Sequence, residues 1–273
     1  MAISFDITLP DGRKLSYPTY GSTSTTAPVV FYHHGFPASH AEARLYDTAA
    51  QKHEIRLIAI HRPGMGNSTY QPNQQLMDWP ADLLALADHL KVERFGILGT
   101  SGGGPYVLAC CHSMPRSQCI SAGIVSGLYP RSLGRAGMLF EARMMLYVAP
   151  WLTGLAAFGL DKGLGVIARD GEYPEKFDQA LASNSKSRPP VDRELWNRDG
   201  DWGFPLEGRS AEAGKMFLRH GGADLNVPAH MAETAEKLMN AAEVRFLPDE
   251  GYASLAVNKS DEIVVALRGS LPT

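Results

Sequence analysis

The chain has 273 residues, which is enough for one large domain or two small ones. Lys and Arg total 26 against 29 Asp and Glu, so the net charge of −3 gives no electrostatic basis for binding nucleic acid or an anionic membrane surface. With 44% apolar and 20% charged residues, the chain can bury a core and is not intrinsically disordered. The composition therefore favours a small-molecule ligand and leaves the oligomeric state open.

Predicted strands and helices alternate along most of the chain. A hairpin of two strands over Ile3 to Leu9 and Lys14 to Tyr20 comes first. The elements predicted next are strand 27–33, helix 39–53, strand 55–60, a helix ending near 90, strand 95–98, helix 105–112, strand 120–125, strand 215–218, helix 229–240, strand 244–247 and helix 255–267. Apolar runs separated by helices indicate a doubly wound, mostly parallel α/β sheet.

The alternation stops in the middle of the chain, where we predict an inserted helical cap over residues 128–208. The core domain is then formed by residues 1–127 and 209–273. Tyr147 and Trp151 belong to an apolar, Met-rich part of the cap that is expected to roof a substrate pocket. The same spacing is also explained by packing of the cap onto the core.

Neither a membrane span nor a metal or cofactor site is predicted. Residues 144–160 carry no charge, but a spanning helix needs about 20 residues, and Pro150 and Gly154 interrupt this stretch. The three cysteines, at positions 110, 111 and 119, suit neither a disulfide framework nor a zinc site. Because the cysteines are too few and too clustered for a disulfide framework, the reducing cytoplasm is the expected compartment. The sequence also does not begin with the basic region and apolar run of a signal peptide.

The most specific motif is Gly99-Thr100-Ser101-Gly102-Gly103, directly after a predicted strand and before a predicted helix. In this G-x-S-x-G setting, glycines on both sides let strand and helix pack closely while the serine hydroxyl stays accessible. The helix N-terminus adds positive potential beside the hydroxyl. We interpret Ser101 as a nucleophile in preference to an incidental serine in a glycine-rich turn.

Acyl transfer also requires N–H donors for the developing oxyanion. The main-chain N–H of Gly102 is one candidate by position. The loop His34-Gly35-Phe36-Pro37 leaves a strand at the sheet edge where open α/β folds bind ligands, which makes the N–H of Phe36 the second candidate. The alternative is an ordinary turn that contains Gly and Pro.

Five sequence blocks together resemble the α/β-hydrolase superfamily over essentially the whole chain. They are His34-Gly35-Phe36-Pro37, Arg62-Pro63-Gly64-Met65-Gly66-Asn67-Ser68, Gly99-Thr100-Ser101-Gly102-Gly103, His220-Gly221-Gly222-Ala223-Asp224 and Glu250-Gly251-Tyr252-Ala253-Ser254-Leu255. The resemblance implies Ser101 as nucleophile, Asp224 as the acid of the triad and the cap as a lid. It also implies that the N–H groups of Phe36 and Gly102 form the oxyanion hole.

Asp224 is supported independently, because it ends a strand at the same sheet edge as Ser101 and follows it in the Ser, Asp, His order of this fold. A turn-forming Asp after a strand is the alternative. His34 and Met65 are expected to line the pocket beside Ser101.

The sequence departs from the family pattern at Tyr252, where the superfamily carries the triad histidine. No histidine follows His230. A phenol with a pKa near 10 is ionised in only about one molecule in a thousand at pH 7, so Tyr252 cannot simply replace imidazole as the base. We expect Tyr252 to donate a hydrogen bond to Asp224. His33 and His34 are the histidines nearest the oxyanion loop, and structural roles are the simpler interpretation of both.

Three functions are consistent with these residues. The first is a slow or differently assisted serine hydrolase that acts on a small apolar ester, lactone or amide. The second is a non-hydrolytic enzyme, such as a lyase or cyclase, that uses the oxyanion hole, and the third is a ligand-binding pseudoenzyme. A serine nucleophile argues against the epoxide hydrolase and haloalkane dehalogenase branches, which use a carboxylate.

Overall fold

A computed structural model of the chain describes residues 4–36, 38–134, 136–140, 143, 202–207, 215–239 and 243–272. These residues form one eight-stranded sheet. The sheet begins with an antiparallel hairpin of β1 (Ser4–Thr8) and β2 (Lys14–Gly21), as the sequence predicts. The remaining strands are β3 (Val29–His33), β4 (Arg56–Ala59), β5 (Phe95–Thr100), β6 (Cys119–Val125), β7 (Lys215–Gly221) and β8 (Glu243–Leu247).

The strands lie in the order β1-β2-β4-β3-β5-β6-β7-β8. The pairings β1–β2 and β2–β4 are antiparallel, and all pairings from β4 through β8 are parallel. The predicted fold class, a mostly parallel α/β sheet, is confirmed. Because β3, β5 and β7 run in the same direction, the loops that follow them meet at one edge of the sheet.

Helices pack on the sheet close to their predicted positions. They are α1 (Arg44–Lys52), α2 (Trp79–His89), α3 (Gly104–Ser113), α4 (Ala229–Met239), α5 (Tyr252–Asn258) and α6 (Ser260–Arg268). A 3-10 helix, His40–Ala43, precedes α1, and Ser39 Oγ accepts the N–H of Ala41 at its start. The single helix predicted over 255–267 is wrong. The helical segment starts earlier and divides in two, because Lys259 leaves the helical conformation with φ −114° and ψ 14°.

The central strands are continuous apolar runs because both of their faces are covered. Phe31 and Ile97 belong to one buried apolar cluster, and Val30 and Leu98 belong to a second. All four side chains are fully buried. Burial of such a side chain contributes about 1.5–3 kcal/mol, so the two clusters hold the sheet rigidly beneath the loops that carry the site.

Most of the predicted cap lies outside the described residues, including Tyr147, Trp151 and the uncharged stretch 144–160. The cap boundaries and the pocket roles of Tyr147 and Trp151 therefore stay predictions. Near its ends, Tyr129 and Phe204 are buried against the core, and the Phe204 ring stacks on that of His112 at 5.5 Å. Within the described part of the chain, no helix combines the length and apolarity needed to cross a bilayer.

Candidate active site

Ser101 lies in a strained turn at the carboxyl end of β5. Its φ is 50°, in the left-handed region that a serine rarely adopts. A 3-10 helix, Ser101–Gly103, leads directly into α3. The residue is only 8% exposed. The backbone therefore holds Ser101 in a defined position between a central strand and the N-terminus of a helix.

The glycines of the motif are required by close backbone contacts. A Cβ on Gly99 would lie 2.6 Å from the carbonyl oxygen of Gly103, and a Cβ on Gly103 would lie 2.0 Å from the carbonyl oxygen of His33. Real Cβ atoms do not approach backbone atoms so closely. The sequence G-x-S-x-G thus follows from the packing of β5, β3 and α3 around the turn.

The loop after β3 lies directly beside Ser101. A Cβ on Gly35 would be 3.3 Å from Ser101 Cβ. Phe36, the next residue, is partly buried against the core. Gly102 is in the first turn of the 3-10 helix, where a main-chain N–H has no partner within the helix. The placement is compatible with the predicted oxyanion role of Phe36 and Gly102, which stays a prediction.

A buried arginine fixes this loop. Arg62, which is 1% exposed, donates hydrogen bonds to the carbonyl oxygens of His34 and Gly35, the latter over 3.1 Å. Its guanidinium also lies 4.7 Å from the centre of the Tyr106 ring. Two hydrogen bonds from one planar cation hold adjacent carbonyls in a fixed orientation. The loop beside Ser101 is therefore pre-organised.

Asp224 lies in the turn after β7 and is 2% exposed. Its Oδ1 accepts the main-chain N–H groups of Asn226 and Val227, both over 2.9 Å. Among the described residues, Oδ2 has no hydrogen-bond partner. His220 Nε2 lies 3.8 Å from Oδ2 but bonds to the carbonyl of Val227 instead. Burial raises the pKa of Asp224, and the N–H of Val227 and the nearby His220 partly offset this effect.

The Tyr252 hydroxyl points toward Gly35 and Ser101 rather than toward Asp224. A Cβ added to Gly35 would lie 3.1 Å from the Tyr252 hydroxyl oxygen and 3.3 Å from Ser101 Cβ. The expected hydrogen bond from Tyr252 to Asp224 is wrong, since Oδ2 of Asp224 accepts none. The physical reason is that Tyr252 begins α5 and its phenol, longer than an imidazole, reaches the loop after β3 beside Ser101.

The phenol of Tyr252 is held in its neutral form. Burial raises its pKa above the ordinary value, and the nearby carboxylate of Glu42 raises it further. The neighbouring Ser101 side chain acts in the opposite direction and lowers the pKa. Tyr252 therefore presents a protonated hydroxyl to Ser101 at neutral pH.

Glu42 is a component of the site that the sequence did not reveal. It is 7% exposed, and its Oε2 accepts hydrogen bonds from the N–H of Gly35 over 2.6 Å and from the hydroxyl of Tyr32 over 2.7 Å. Its Oε1 lies 3.2 Å from the position of a Cβ on Gly35. The only sequence signal was a charged residue between Ala41 and Ala43 in a buried helical turn.

The remaining predicted residues are buried near the loop. His34 is fully buried, with Nδ1 2.9 Å from the carbonyl oxygen of Gly35, and Met65 is 2% exposed. Their roles in a pocket wall stay predictions. Neither His33 nor His34 hydrogen-bonds to Ser101. In the ranges that the structure describes, no group of three or more His, Cys, Asp or Glu is arranged to hold a metal ion.

A family model described as the alpha/beta hydrolase fold matches residues 28–149, which include the loop after β3, Glu42 and the turn at Ser101. An esterase from Exiguobacterium antarcticum has the same fold over 98% of both chains, with a TM-score of 0.73 and 18% sequence identity. The chain has the α/β-hydrolase fold. The resemblance stated from its motifs is thereby confirmed.

Curated relatives match part of the chain. A bifunctional esterase/perhydrolase from Acinetobacter calcoaceticus is 30% identical over 125 residues, which are 45% of each protein. A proline iminopeptidase from Lactobacillus helveticus is 32% identical over 97 residues, which are 34% of this chain and 33% of the relative. The matches thus span less than half the length of these relatives.

Proposed function

We propose that this α/β-hydrolase-superfamily chain is a serine hydrolase that acts on a small, largely apolar ester, lactone or amide. One observation carries the proposal: Ser101 is held at φ 50° between Gly99 and Gly103 at the end of a central strand. Strain of this kind is retained where the surrounding structure enforces it, and it places a hydroxyl above a helix N-terminus. The similarity to an esterase/perhydrolase and a peptidase supports the same class.

The proposed reaction proceeds through an acyl-enzyme. Ser101 Oγ forms a bond to the substrate carbonyl carbon, the π electrons of the carbonyl move to its oxygen, and the serine proton is transferred to a base. Collapse of this tetrahedral intermediate breaks the bond to the leaving alcohol or amine, which takes up the proton. Water then attacks the acyl group in the same way and releases the acid.

The Asp224 carboxylate retains the hydrogen bonds expected of a triad acid, but Tyr252 stands where a histidine would accept the proton. Because Tyr252 stays protonated and does not reach Asp224, hydrolysis is expected to be slow. Loss of the histidine in a serine protease reduces turnover by on the order of a million-fold, while oxyanion binding alone retains about a thousand-fold over water.

Hydrolysis of short and medium nitrophenyl esters by three proteins tests the proposal: wild type, Ser101→Ala and Tyr252→His. We expect slow turnover by wild type, none above background by Ser101→Ala, and an increase of roughly 100-fold or more for Tyr252→His. Equal rates for wild type and Ser101→Ala would overturn it. Circular dichroism of each variant checks that the fold is retained.

A second candidate, binding of a ligand without chemistry, is favoured by the neutral phenol beside Ser101. A protonated hydroxyl is a hydrogen-bond donor and not a base at neutral pH. Under this alternative, Ser101→Ala leaves every rate unchanged, whereas a non-hydrolysable ketone analogue of the best ester still binds wild type in calorimetry.

A further inference from the structure

We propose that the Glu42 carboxylate accepts the Ser101 proton by way of the Tyr252 hydroxyl, so that Glu42 and Tyr252 together perform the work of the missing histidine. The inference rests on the proposed serine-hydrolase function. Tyr252 is the residue that exchanges a proton with Ser101 directly. Glu42 acts on Ser101 only through Tyr252 and is therefore a positioning residue.

The three groups converge on one point. The Tyr252 hydroxyl, Glu42 Oε1 and Ser101 Cβ lie 3.1, 3.2 and 3.3 Å, respectively, from the position that a Cβ on Gly35 would occupy. Glycine at position 35 is what leaves this space open. The absent side chain thus brings a phenol, a carboxylate and a nucleophile together around a small gap.

In the part of the chain that the structure describes, one carboxylate oxygen of Glu42 accepts hydrogen bonds and the other does not. Oε2 accepts from Gly35 and from Tyr32, whereas within the described ranges no donor is bonded to Oε1. The hydrogen bonds to Oε2 fix the carboxylate, and Oε1 faces the gap beside Ser101. A carboxylate held this way can take up a proton on Oε1 without losing its anchor.

The groups around Glu42 keep its pKa in a range where the carboxylate can accept a proton. The groups that face it are Tyr32 on β3, Tyr46 on α1, Arg62 after β4 and Tyr252 on α5. Burial raises the pKa of Glu42 above that of an exposed glutamate, while the N–H of Gly35, the Tyr32 hydroxyl and Arg62 partly restore the ionised form. Arg62 is the cation that balances the carboxylate.

In the proposed relay, two protons move in the same step, one from Ser101 to Tyr252 and one from Tyr252 to Glu42. As Ser101 Oγ bonds to the substrate carbonyl carbon, its proton moves to the Tyr252 oxygen and the phenolic proton moves to Glu42 Oε1. No tyrosinate accumulates, and Glu42 becomes a neutral acid. When the intermediate collapses, the Tyr252 hydroxyl donates its proton to the leaving group, and Glu42 Oε1 returns a proton to the Tyr252 oxygen. Water follows the identical route in deacylation.

The test measures kcat and KM for the best nitrophenyl ester in two backgrounds, wild type and Tyr252→His. In wild type, Glu42→Gln is expected to lower kcat by roughly 100-fold with KM changed less than about threefold. Tyr252→Phe is expected to lower kcat by a similar factor. The double variant Glu42→Gln/Tyr252→Phe is expected to lose no more activity than either single variant, because each substitution interrupts the same relay. Asp47→Asn is the matched control, since Asp47 likewise accepts a glycine N–H, from Gly21 over 2.7 Å.

The Tyr252→His background separates a relay from a structural role. With an imidazole available to Ser101, Glu42→Gln is expected to change kcat by less than about threefold. An equal loss in both backgrounds would show that Glu42 only supports the Gly35 loop, and would overturn the proposal. No loss in wild type would also overturn it while leaving the hydrolase function intact. Equal rates for wild type and Ser101→Ala would instead refute the hydrolase function, and the relay with it.

Discussion

The carbonyl oxygen of His33 lies 2.0 Å from the position that a Cβ on Gly103 would occupy, so β3 and the end of the turn at Ser101 are in contact without any intervening side chain. His33 is the last residue of β3, and the loop with Gly35 follows it. The contact therefore sets the distance between Ser101 and the loop that is expected to stabilise the oxyanion.

Replacement of Gly103 tests this contact. Gly103→Ala forces a backbone shift, and overpacking of a buried site costs about 1–3 kcal/mol or more of unfolding free energy. Urea unfolding is the measurement. Gly269→Ala is the control, since a Cβ there would meet only ordinary contacts, with the carbonyl oxygens of Val265 at 3.7 Å and Ala266 at 4.0 Å. Its effect should stay within about 1 kcal/mol. A Gly103→Ala variant as stable as wild type would contradict the geometry.

Removal of the Arg62 side chain should slow hydrolysis by loosening the loop that Arg62 fixes. Arg62→Met leaves the carbonyls of His34 and Gly35 without their charged donor, and hydrogen bonds to charged groups are worth about 1.5–3 kcal/mol each. We expect kcat to fall about tenfold to 100-fold. Arg245→Met, at an exposed ion pair with Glu243, should change kcat by less than about twofold. Equal effects of the two substitutions would disprove the role of Arg62.

Asp224 should matter for catalysis only when an imidazole is present. Its Oδ2 has no partner among the described residues in wild type, so Asp224→Asn should change the wild-type kcat by less than about tenfold. In the Tyr252→His background the same change should cost on the order of a thousand-fold or more, because the acid orients the imidazole. A comparable loss in both backgrounds would show that Asp224 acts on Ser101 without a histidine.

Buried histidines should make the fold sensitive to acid. Burial lowers the pKa of His33 and of His61 to about 3 in each case. The unfolded chain therefore binds these protons near pH 6.5 and the folded chain does not. Their stabilisation is complete above pH 6.5 and is lost as the pH falls toward 3, by up to about 1.4 kcal/mol per pH unit for each histidine.

The unfolding free energy in urea at pH 7, 6 and 5 measures this loss. His33→Gln removes one of the two groups, so the dependence on pH should become shallower even if the variant is less stable overall. An unchanged slope would show that His33 does not titrate differently in the folded and unfolded states.

Local sequence was sufficient to predict those parts of the fold and site that depend on local geometry. The turn at Ser101 is one, since Gly99, Ser101 and Gly103 are neighbours in sequence and lie on a consecutive strand, turn and helix, although the contact that requires Gly103 comes from His33 on β3. The sheet is another, because its central strands are continuous apolar runs. Asp224 could be placed at the right edge because β7 runs parallel to β5.

The features that were missed depend on contacts between distant segments. Glu42 becomes part of the site only because the order of the strands places the 3-10 helix before α1 beside β3 and β5. The orientation of Tyr252 depends on where α5 begins, and the sequence placed that start three residues too late. Periodicity predicts which face of a helix is buried, but it does not tell which polar group a buried side chain meets.

The most direct test of the central claim is the intact mass of the protein after incubation with a serine-directed fluorophosphonate. We expect one adduct on the peptide that contains Ser101, formed slowly in wild type, much faster in Tyr252→His and not at all in Ser101→Ala. Absence of labelling in both wild type and Tyr252→His, or equal labelling of Ser101→Ala, would contradict the assignment of Ser101 as the nucleophile.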